Sequence, residues 1–240
     1  NNEKINFIMI SAILLAAGYG SRLLPLTSVT PKCLVPIHGR PLLDVWLERL
    51  TAAGIGPLLI NTHYLPGQVE QFLSNSHYGP LVTVSHEAEL LGTAGTLLNN
   101  IAFYGNCDGM LIHADNYCLA DLSEFVACHK ERPAGCVMTM LTYRANNPSH
   151  CGVVELNKEN IVTGFYEKVV NPPGNLANGA IYILSAEFFH EMLLTTPCFD
   201  FSADVIPNLL GRIFTYETKE TFIDIGTPES YDAANQLSNN

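Results

Sequence analysis

From position 7 to position 17 the chain is apolar except for Ser11, and the run ends at Gly18-Tyr19-Gly20. It is too short to cross a bilayer, which takes about 20 residues. Asn1-Asn2-Glu3-Lys4 lacks the positive charge of a secretory leader, although Ala16-Ala17-Gly18 has the small residues of a cleavage site. Met9 is the expected natural start. The run therefore reads as a buried strand over 10–15 that feeds a glycine turn.

Strand and helix patterns alternate after the turn. Leu42, Leu43, Trp46, Leu47 and Leu50 recur at helical spacing and predict a helix over 41–53 that stops at Gly54. Strands are expected over 58–60, 81–84, 110–112 and 137–143, and helices over 66–73, 93–101 and 122–130. The texture changes after Tyr143. A loop at Asn146-Asn147-Pro148-Ser149 precedes short strands over 152–156, 161–167 and 180–184. A helix over 186–194, a Pro-bounded segment over 202–210 and a strand over 221–225 follow. Gly226 and Pro228 then lead into a terminal helix. The alternation predicts an α/β fold with a doubly wound, mostly parallel mixed sheet. No internal repeat or linker divides it, so residues 1–240 are expected to form a single domain. Residues 10–145 form its larger part and 146–240 a smaller lobe.

Twelve basic residues against twenty-three acidic ones give a formal charge of −11. That balance argues against nucleic acid or an anionic membrane as partner, while a locally positive site still suits a small phosphorylated ligand. The seven cysteines are odd in number and dispersed, with no CxxC and no HExxH. A disulfide framework or zinc knuckle is not expected. A reducing, cytoplasmic setting is, with most of the cysteines as small buried apolar residues.

The turn itself, Ala16-Ala17-Gly18-Tyr19-Gly20-Ser21-Arg22, is built of small residues that let backbone amides approach an anion. A P-loop would need GxxxxGK[ST], which is absent, and a dinucleotide fingerprint fails at Leu23. That failure disfavours a nicotinamide oxidoreductase. The glycines alone are equally compatible with a plain strand-to-loop turn. Arg22 and Lys32 add a fixed fork and a point cation, which suit a polyphosphate.

In full the stretch reads GYGSRLLPLTSVTPKCLVPIHGRPLL. It resembles the signature of the sugar-1-phosphate nucleotidyltransferases, with Ala17 where that family often has Gly. SHEAELLGTAG over 85–95 is similar to the family's base-binding loop, and in its letters to the mannose-1-phosphate guanylyltransferase branch. Asp115 in His113-Ala114-Asp115-Asn116 falls at the family's metal-binding Asp. Glu167-Lys168 resembles the sugar-binding pair, although Val169 replaces the usual Pro. Asn178-Gly179-Ala180 has the family's two small residues exchanged. Asp224-Ile225-Gly226 resembles the segment that carries the second metal ligand.

The resemblance implies a Rossmann-like nucleotidyltransferase fold without the C-terminal β-helix domain of longer relatives. It implies Mg2+-dependent transfer from a nucleoside triphosphate to a sugar 1-phosphate. It assigns Arg22 and Lys32 to the reacting phosphates and Asp115 and Asp224 to the metal. Ala16, Ala17, Gly18, Gly20, Ser21, Glu87, Gly92 and Thr93 fall to the nucleotide. Asn116, Glu167, Lys168 and Asn178 fall to the sugar phosphate. Residues 10–145 thus become the nucleotide-binding part and the smaller lobe the sugar-binding part. Asp108 and Asp121 read as turn and cap residues, Tyr143 and Tyr182 as packing residues.

Guanine offers two adjacent donors, N1–H and the N2 amine, which one carboxylate accepts. Relatives acting on thymidylyl or uridylyl groups typically have Gln five residues before the loop glycine. Here that residue is Glu87. GTP is therefore the expected nucleotide, with an exposed loop charge as the alternative reading of Glu87. Mannose 1-phosphate is the default sugar and a heptose 1-phosphate its rival. Uridylyl, thymidylyl or cytidylyl transfer and a non-catalytic nucleotide-sugar-binding paralogue stay open. Such folds often self-associate, but nothing in the pattern shows how.

Overall fold

The computed structural model describes residues 10–192 and 198–237. The first strand, β1 (Ser11–Leu15), is followed by a small hairpin of β2 (Pro36–Ile37) and β3 (Arg40–Pro41), then by helix α1 (Leu42–Ala52). Next come β4 (Leu58–Thr62), α2 (Pro66–Asn75), β5 (Val82–His86), α3 (Gly92–Asn99), β6 (Gly109–His113) and β7 (Asn116–Cys118). Helix α4 (Leu122–Lys130), β8 (Met138–Arg144), β9 (Gly152–Leu156), β10 (Val162–Glu167) and β11 (Leu176–Leu184) follow. The last elements are α5 (Ala186–Met192), β12 (Ile213–Glu217), β13 (Phe222–Asp224) and α6 (Pro228–Gln236).

Among the described residues nine strands share one mixed sheet, in the order β10-β9-β11-β6-β1-β4-β5, with β8 beside β11 and β12 beside β8. β6, β1, β4 and β5 run parallel, and β11 joins them antiparallel to β6. The centre of this sheet is covered on both faces, as parallel strands require. Side chains of a strand alternate between faces. Ala12 and Leu14 accordingly pack with Trp46, Leu47 and Ile60, whereas Ile13 packs with Leu59, Leu97 and Tyr182 on the other side.

Helix α4 occupies the expected span. Its N-terminal amides at Ser123 and Glu124 donate to the Asp121 carboxylate, the cap expected there. The alternation did not single out β12, β7 or the β2–β3 hairpin, the last two of which are too short to show a period without their partner strands. β11 starts earlier than expected, and its pairing with β8 shifts register between Asn178 and Tyr182. The 202–210 segment is one π-turn (Phe201–Val205) and one 3₁₀ turn (Ile206–Leu209). Helix α5 is described to Met192, and the rest of its expected span lies outside the described residues. No helix among the described residues is long and apolar enough to cross a membrane.

The carboxyl ends of β1 and β6 lie side by side, with Leu15 opposite His113, and β4 flanks β1 on the other side with Asn61 opposite Leu15. Ligands of open α/β sheets bind at such carboxyl ends, where the strand order switches direction.

Candidate active site

A cleft of about 290 Å³ opens at the end of β1. The glycine turn supplies Ala16, Ala17 and Gly18, β5 leads into Glu87, and α3 opens with Gly92 and Thr93. Six of the residues expected at the nucleotide therefore face one space. Gly20 and Ser21 do not line it. Gly20 takes φ +64°, and a Cβ there would stand 2.9 Å from the Thr27 methyl, so its part is to close the turn. Thr27 Oγ1 donates to the Gly20 carbonyl at 2.8 Å. Ser21 is exposed and begins a 3₁₀ turn.

Within the turn, the Ala16 amide donates to Asn61 Oδ1 at 2.7 Å. The Ala17 and Gly18 amides have no acceptor among the described residues. Ala17 is buried and Gly18 has open space around its α-carbon, so this turn accommodates alanine at the first position.

Glu87 is not an exposed loop charge. It is only 4% exposed, although it lines the cleft. Its Oε1 accepts from Thr96 Oγ1 at 2.5 Å and Asn61 Nδ2 at 2.9 Å, and its Oε2 accepts from the Leu91 amide at 3.2 Å. Oε2 thus keeps more of its accepting capacity than Oε1.

The segment around Phe199 crosses from the smaller lobe to the start of α3. The Ala94 amide donates to the Phe199 carbonyl at 3.0 Å, and the Phe201 amide donates to Thr93 Oγ1 at 2.7 Å. Gly92 takes φ +75°, and a Cβ on it would meet the Phe199 carbonyl and ring. Phe199 lines the cleft and is 60% exposed. Sequence reasoning passed over it; the available signal was a large aromatic beside the helix-capping Asp200.

A second cleft, of about 180 Å³, adjoins the first and shares His113 and Asp115 with it. Arg22, Asn116, Glu167, Lys168, Asn178 and Asp224 line it. Lys168 takes φ +51° and its Nζ lies 3.2 Å from Glu167 Oε1. Asn116 Nδ2 donates to the Gly179 carbonyl at 3.1 Å, and its own carbonyl accepts from Trp46 Nε1 at 2.9 Å. Asn178 is held by the Ala180 amide and Tyr182 hydroxyl, both at 2.8 Å. Tyr182 is fully buried, in keeping with packing, whereas Tyr143 lines the cleft, stacked on Phe222 with ring centroids 4.1 Å apart. Ser202 is a further wall residue the sequence reading did not single out.

Lys32, Asp115 and Asp224 meet where the clefts join. Asp115 follows β6, and antiparallel pairing of β13 with β7 sets Asp224 opposite Asn116. The Ile225 amide donates to the Asp115 carbonyl at 3.2 Å and locks that approach. Lys32 Nζ donates to Asp115 Oδ2 at 2.5 Å and stands 3.8 Å from Asp224 Oδ1, on a side chain only 9% exposed. Burial opposes ionisation of Asp115, but the Lys32 ammonium and His113 outweigh it and hold the carboxyl below its usual value. Desolvation and the Asp115 charge push Asp224 the other way, with Lys32 and Arg22 opposing. His113 is pushed down by burial, and its Nε2 is buried with no hydrogen-bond partner.

Both carboxylates are hard oxygen donors, the chemistry Mg2+ selects. Among the described residues no group of three or more His, Cys, Asp or Glu side chains is arranged to hold a metal ion. The pair therefore fits an ion whose shell is completed by water and substrate phosphate.

A curated relative, mannose-1-phosphate guanylyltransferase of Mycobacterium tuberculosis, is 30% identical over 92% of this chain and 62% of its own length. A second, a putative mannose-1-phosphate guanyltransferase of Sulfolobus acidocaldarius, is 29% identical over 93% of this chain and 61% of its own. The chain thus spans less than two thirds of these relatives. Among solved structures, HddC from Yersinia pseudotuberculosis complexed with GMP-PN superimposes with a TM-score of 0.80 at 25% identity, covering 95% of this chain and 99% of that one. A putative glucose-1-phosphate thymidylyltransferase from Bacillus anthracis gives 0.85 at 26% identity, with 94% of each chain covered. The profile of the nucleotidyl transferase family matches residues 11–240, and the chain belongs to that family.

Proposed function

We propose that the chain is a sugar-1-phosphate nucleotidyltransferase that uses GTP and mannose 1-phosphate. One observation carries the reading: two clefts share Asp115, with Lys32 and Asp224 at their junction. Nucleotidyl transfer needs two anionic substrates brought to one point.

A phosphate oxygen of the sugar 1-phosphate attacks the α-phosphorus of the triphosphate. The new P–O bond forms as the bond to the β-phosphate oxygen breaks, and pyrophosphate leaves with that electron pair. The attacking phosphate is already ionised at neutral pH, so the protein supplies positioning and charge rather than a base. Lys32 would bridge the attacking and α-phosphates, and Arg22 would hold the departing pyrophosphate. Lys168 would hold the sugar phosphate, with Asn116, Glu167 and Asn178 at the sugar side. The Ala17 and Gly18 amides would receive phosphate oxygens. Mg2+ held by Asp115 and Asp224 would neutralise charge on the phosphates.

Guanine is favoured by Glu87 in the cleft wall, by relatives with guanylyltransferase names and by a GMP-PN-bound structural neighbour. The thymidylyltransferase neighbour keeps dTTP as the second reading. Seven free thiols suit a reducing cytoplasm.

The test is pyrophosphate release with Mg2+, each of GTP, UTP, dTTP, ATP and CTP, and a panel of sugar 1-phosphates. Release that requires GTP and mannose 1-phosphate together is expected. Release with dTTP alone would move the reading to thymidylyl transfer, and a heptose 1-phosphate outperforming mannose 1-phosphate would rename the sugar. Nucleotide binding without release for any pair would favour a non-catalytic paralogue. Light scattering of the same sample reads self-association.

A further inference from the structure

Residue 87 and the glycine turn belong to different loops, yet two hydrogen-bonded links join them. On one side the Glu87 carboxylate accepts from Asn61 Nδ2, and Asn61 Oδ1 accepts the Ala16 amide. The orientation of the Asn61 amide is not free: a backbone N–H must meet the oxygen, so the nitrogen faces Glu87. On the other side the Glu87 carbonyl accepts from His63 Nδ1 at 2.8 Å. A carbonyl only accepts, so Nδ1 carries the proton. In the neutral ring Nε2 then accepts from the Tyr19 hydroxyl, 2.9 Å away in the glycine turn.

The bonds among Asn61, Thr96 and the Glu87 carboxylate are all buried. Buried polar groups that lose a partner are costly, so such a network holds one geometry. Asn61 is also fixed from below, since it lies on β4 opposite Leu15, the last residue of β1.

We infer that Asn61, seconded by His63, is a positioning residue that transmits the placement of residue 87 in the base-side loop to the amides of the phosphate-side turn. Base and phosphate recognition are then one mechanical unit. A nucleotide seated against Glu87 finds the turn set for its phosphates, and a disturbed residue 87 loosens the turn even when no base is present. The inference rests on the nucleotidyl-transfer reading for what the turn binds.

The chemistry of the link dictates a swap. Glu87→Gln sets an amide NH2 against a donor in either orientation, Asn61 Nδ2 in one and the Leu91 N–H in the other. Asn61→Asp sets two carboxylates face to face. In the double variant the new amide NH2 at position 87 donates to the new carboxylate at position 61, and the amide oxygen accepts from the Leu91 N–H. That carboxylate still accepts from the Ala16 amide, and the Thr96 hydroxyl turns to it. All partners are satisfied again with the charge moved.

The experiment measures inorganic pyrophosphate binding by calorimetry, because pyrophosphate has phosphates and no base. Each single variant should bind it roughly tenfold more weakly, as expected for one buried partner lost, and the double variant should return to within about threefold of the parent. Amide hydrogen exchange at Ala16 should show protection in the parent, loss in Glu87→Gln and recovery in the double. Unchanged pyrophosphate affinity in Glu87→Gln, or a double variant no better than the worse single, overturns the inference. Tyr19→Phe, at an exposed position, cuts the outer link without threatening the fold and should weaken pyrophosphate by a few-fold; no change there removes His63 from the proposal. If the parent itself fails to bind pyrophosphate, the nucleotidyl-transfer reading has failed, and Ala16 exchange still decides whether the link exists.

Discussion

Lys32 Nζ holds Asp115 Oδ2 at 2.5 Å and stands 3.8 Å from Asp224 Oδ1, so one buried ammonium serves two carboxylates of opposite titration tendency. Lys32 lines the first cleft and reaches the carboxylates where the two clefts join. Lys32→Met should therefore lower kcat by about two to three orders of magnitude, the scale of losing one preorganised charge, while nucleotide binding weakens far less. Steady-state kinetics with calorimetric GTP binding checks this. Equal losses in both would contradict the role.

Asp224 is the more exposed carboxylate and the one burial and Asp115 disfavour as an anion. Asp224→Asn should raise the Mg2+ concentration for half-maximal activity about tenfold or more, the scale of losing one hard oxygen ligand. A Mg2+ titration identical to that of the parent would take Asp224 out of the metal site.

Glu87→Gln should reduce the kcat/KM ratio of GTP over UTP, because an amide cannot accept both guanine donors. The Asn61→Asp/Glu87→Gln double variant should regain turnover without regaining that preference. Preference that stays with the double variant would mean the base is read elsewhere.

Gly92→Ala should be poorly tolerated, since φ +75° strains any side chain and the new Cβ meets the Phe199 carbonyl and ring. A lowered melting midpoint together with a raised KM for the triphosphate is expected. Phe199→Ala should raise that KM roughly fivefold with little change in melting, because one aromatic contact contributes about 1 kcal/mol and the ring is 60% exposed. A KM within twofold of the parent would remove Phe199 from the binding wall.

Away from the clefts, at the amino end of β6, His129 lies buried between Thr139 and Asp108, with ring-nitrogen distances of 2.7 and 3.1 Å. Burial pushes it below its ordinary value of 6.5 despite the Asp108 charge. A depressed folded-state value means the unfolded chain binds the proton more readily, so stability is full above 6.5 and declines as pH falls below it. The melting midpoint should drop between neutral and mildly acidic pH, and His129→Gln should flatten that part of the profile. A parent midpoint constant across that range would refute the assignment.

The local elements were legible because their signals are local. Five leucine and tryptophan positions at helical spacing placed α1, and Asp121 before Leu122 placed the start of α4. The glycine turn, Lys32 and Asp115 could be read because each sits within a short motif of its own. β7 could not, since three residues carry no usable period until a neighbour pairs with them, and β12, though five residues long, carries no motif that marks it.

Residue types and spacings alone thus determined the alternating α/β plan and the small-residue turn after β1, and the family resemblance added the two acidic positions. Tertiary structure decided what those residues face. It set Asp224 against Asp115 through the pairing of β13 with β7, carried Phe199 and Ser202 from the smaller lobe into the cleft walls, and occupied most of the Glu87 carboxylate with Asn61, Thr96 and Leu91. Hydrophobic period and turn chemistry act over a few neighbouring residues, whereas strand register and buried hydrogen bonds join segments far apart in the chain. Their partners exist only once the sheet has closed.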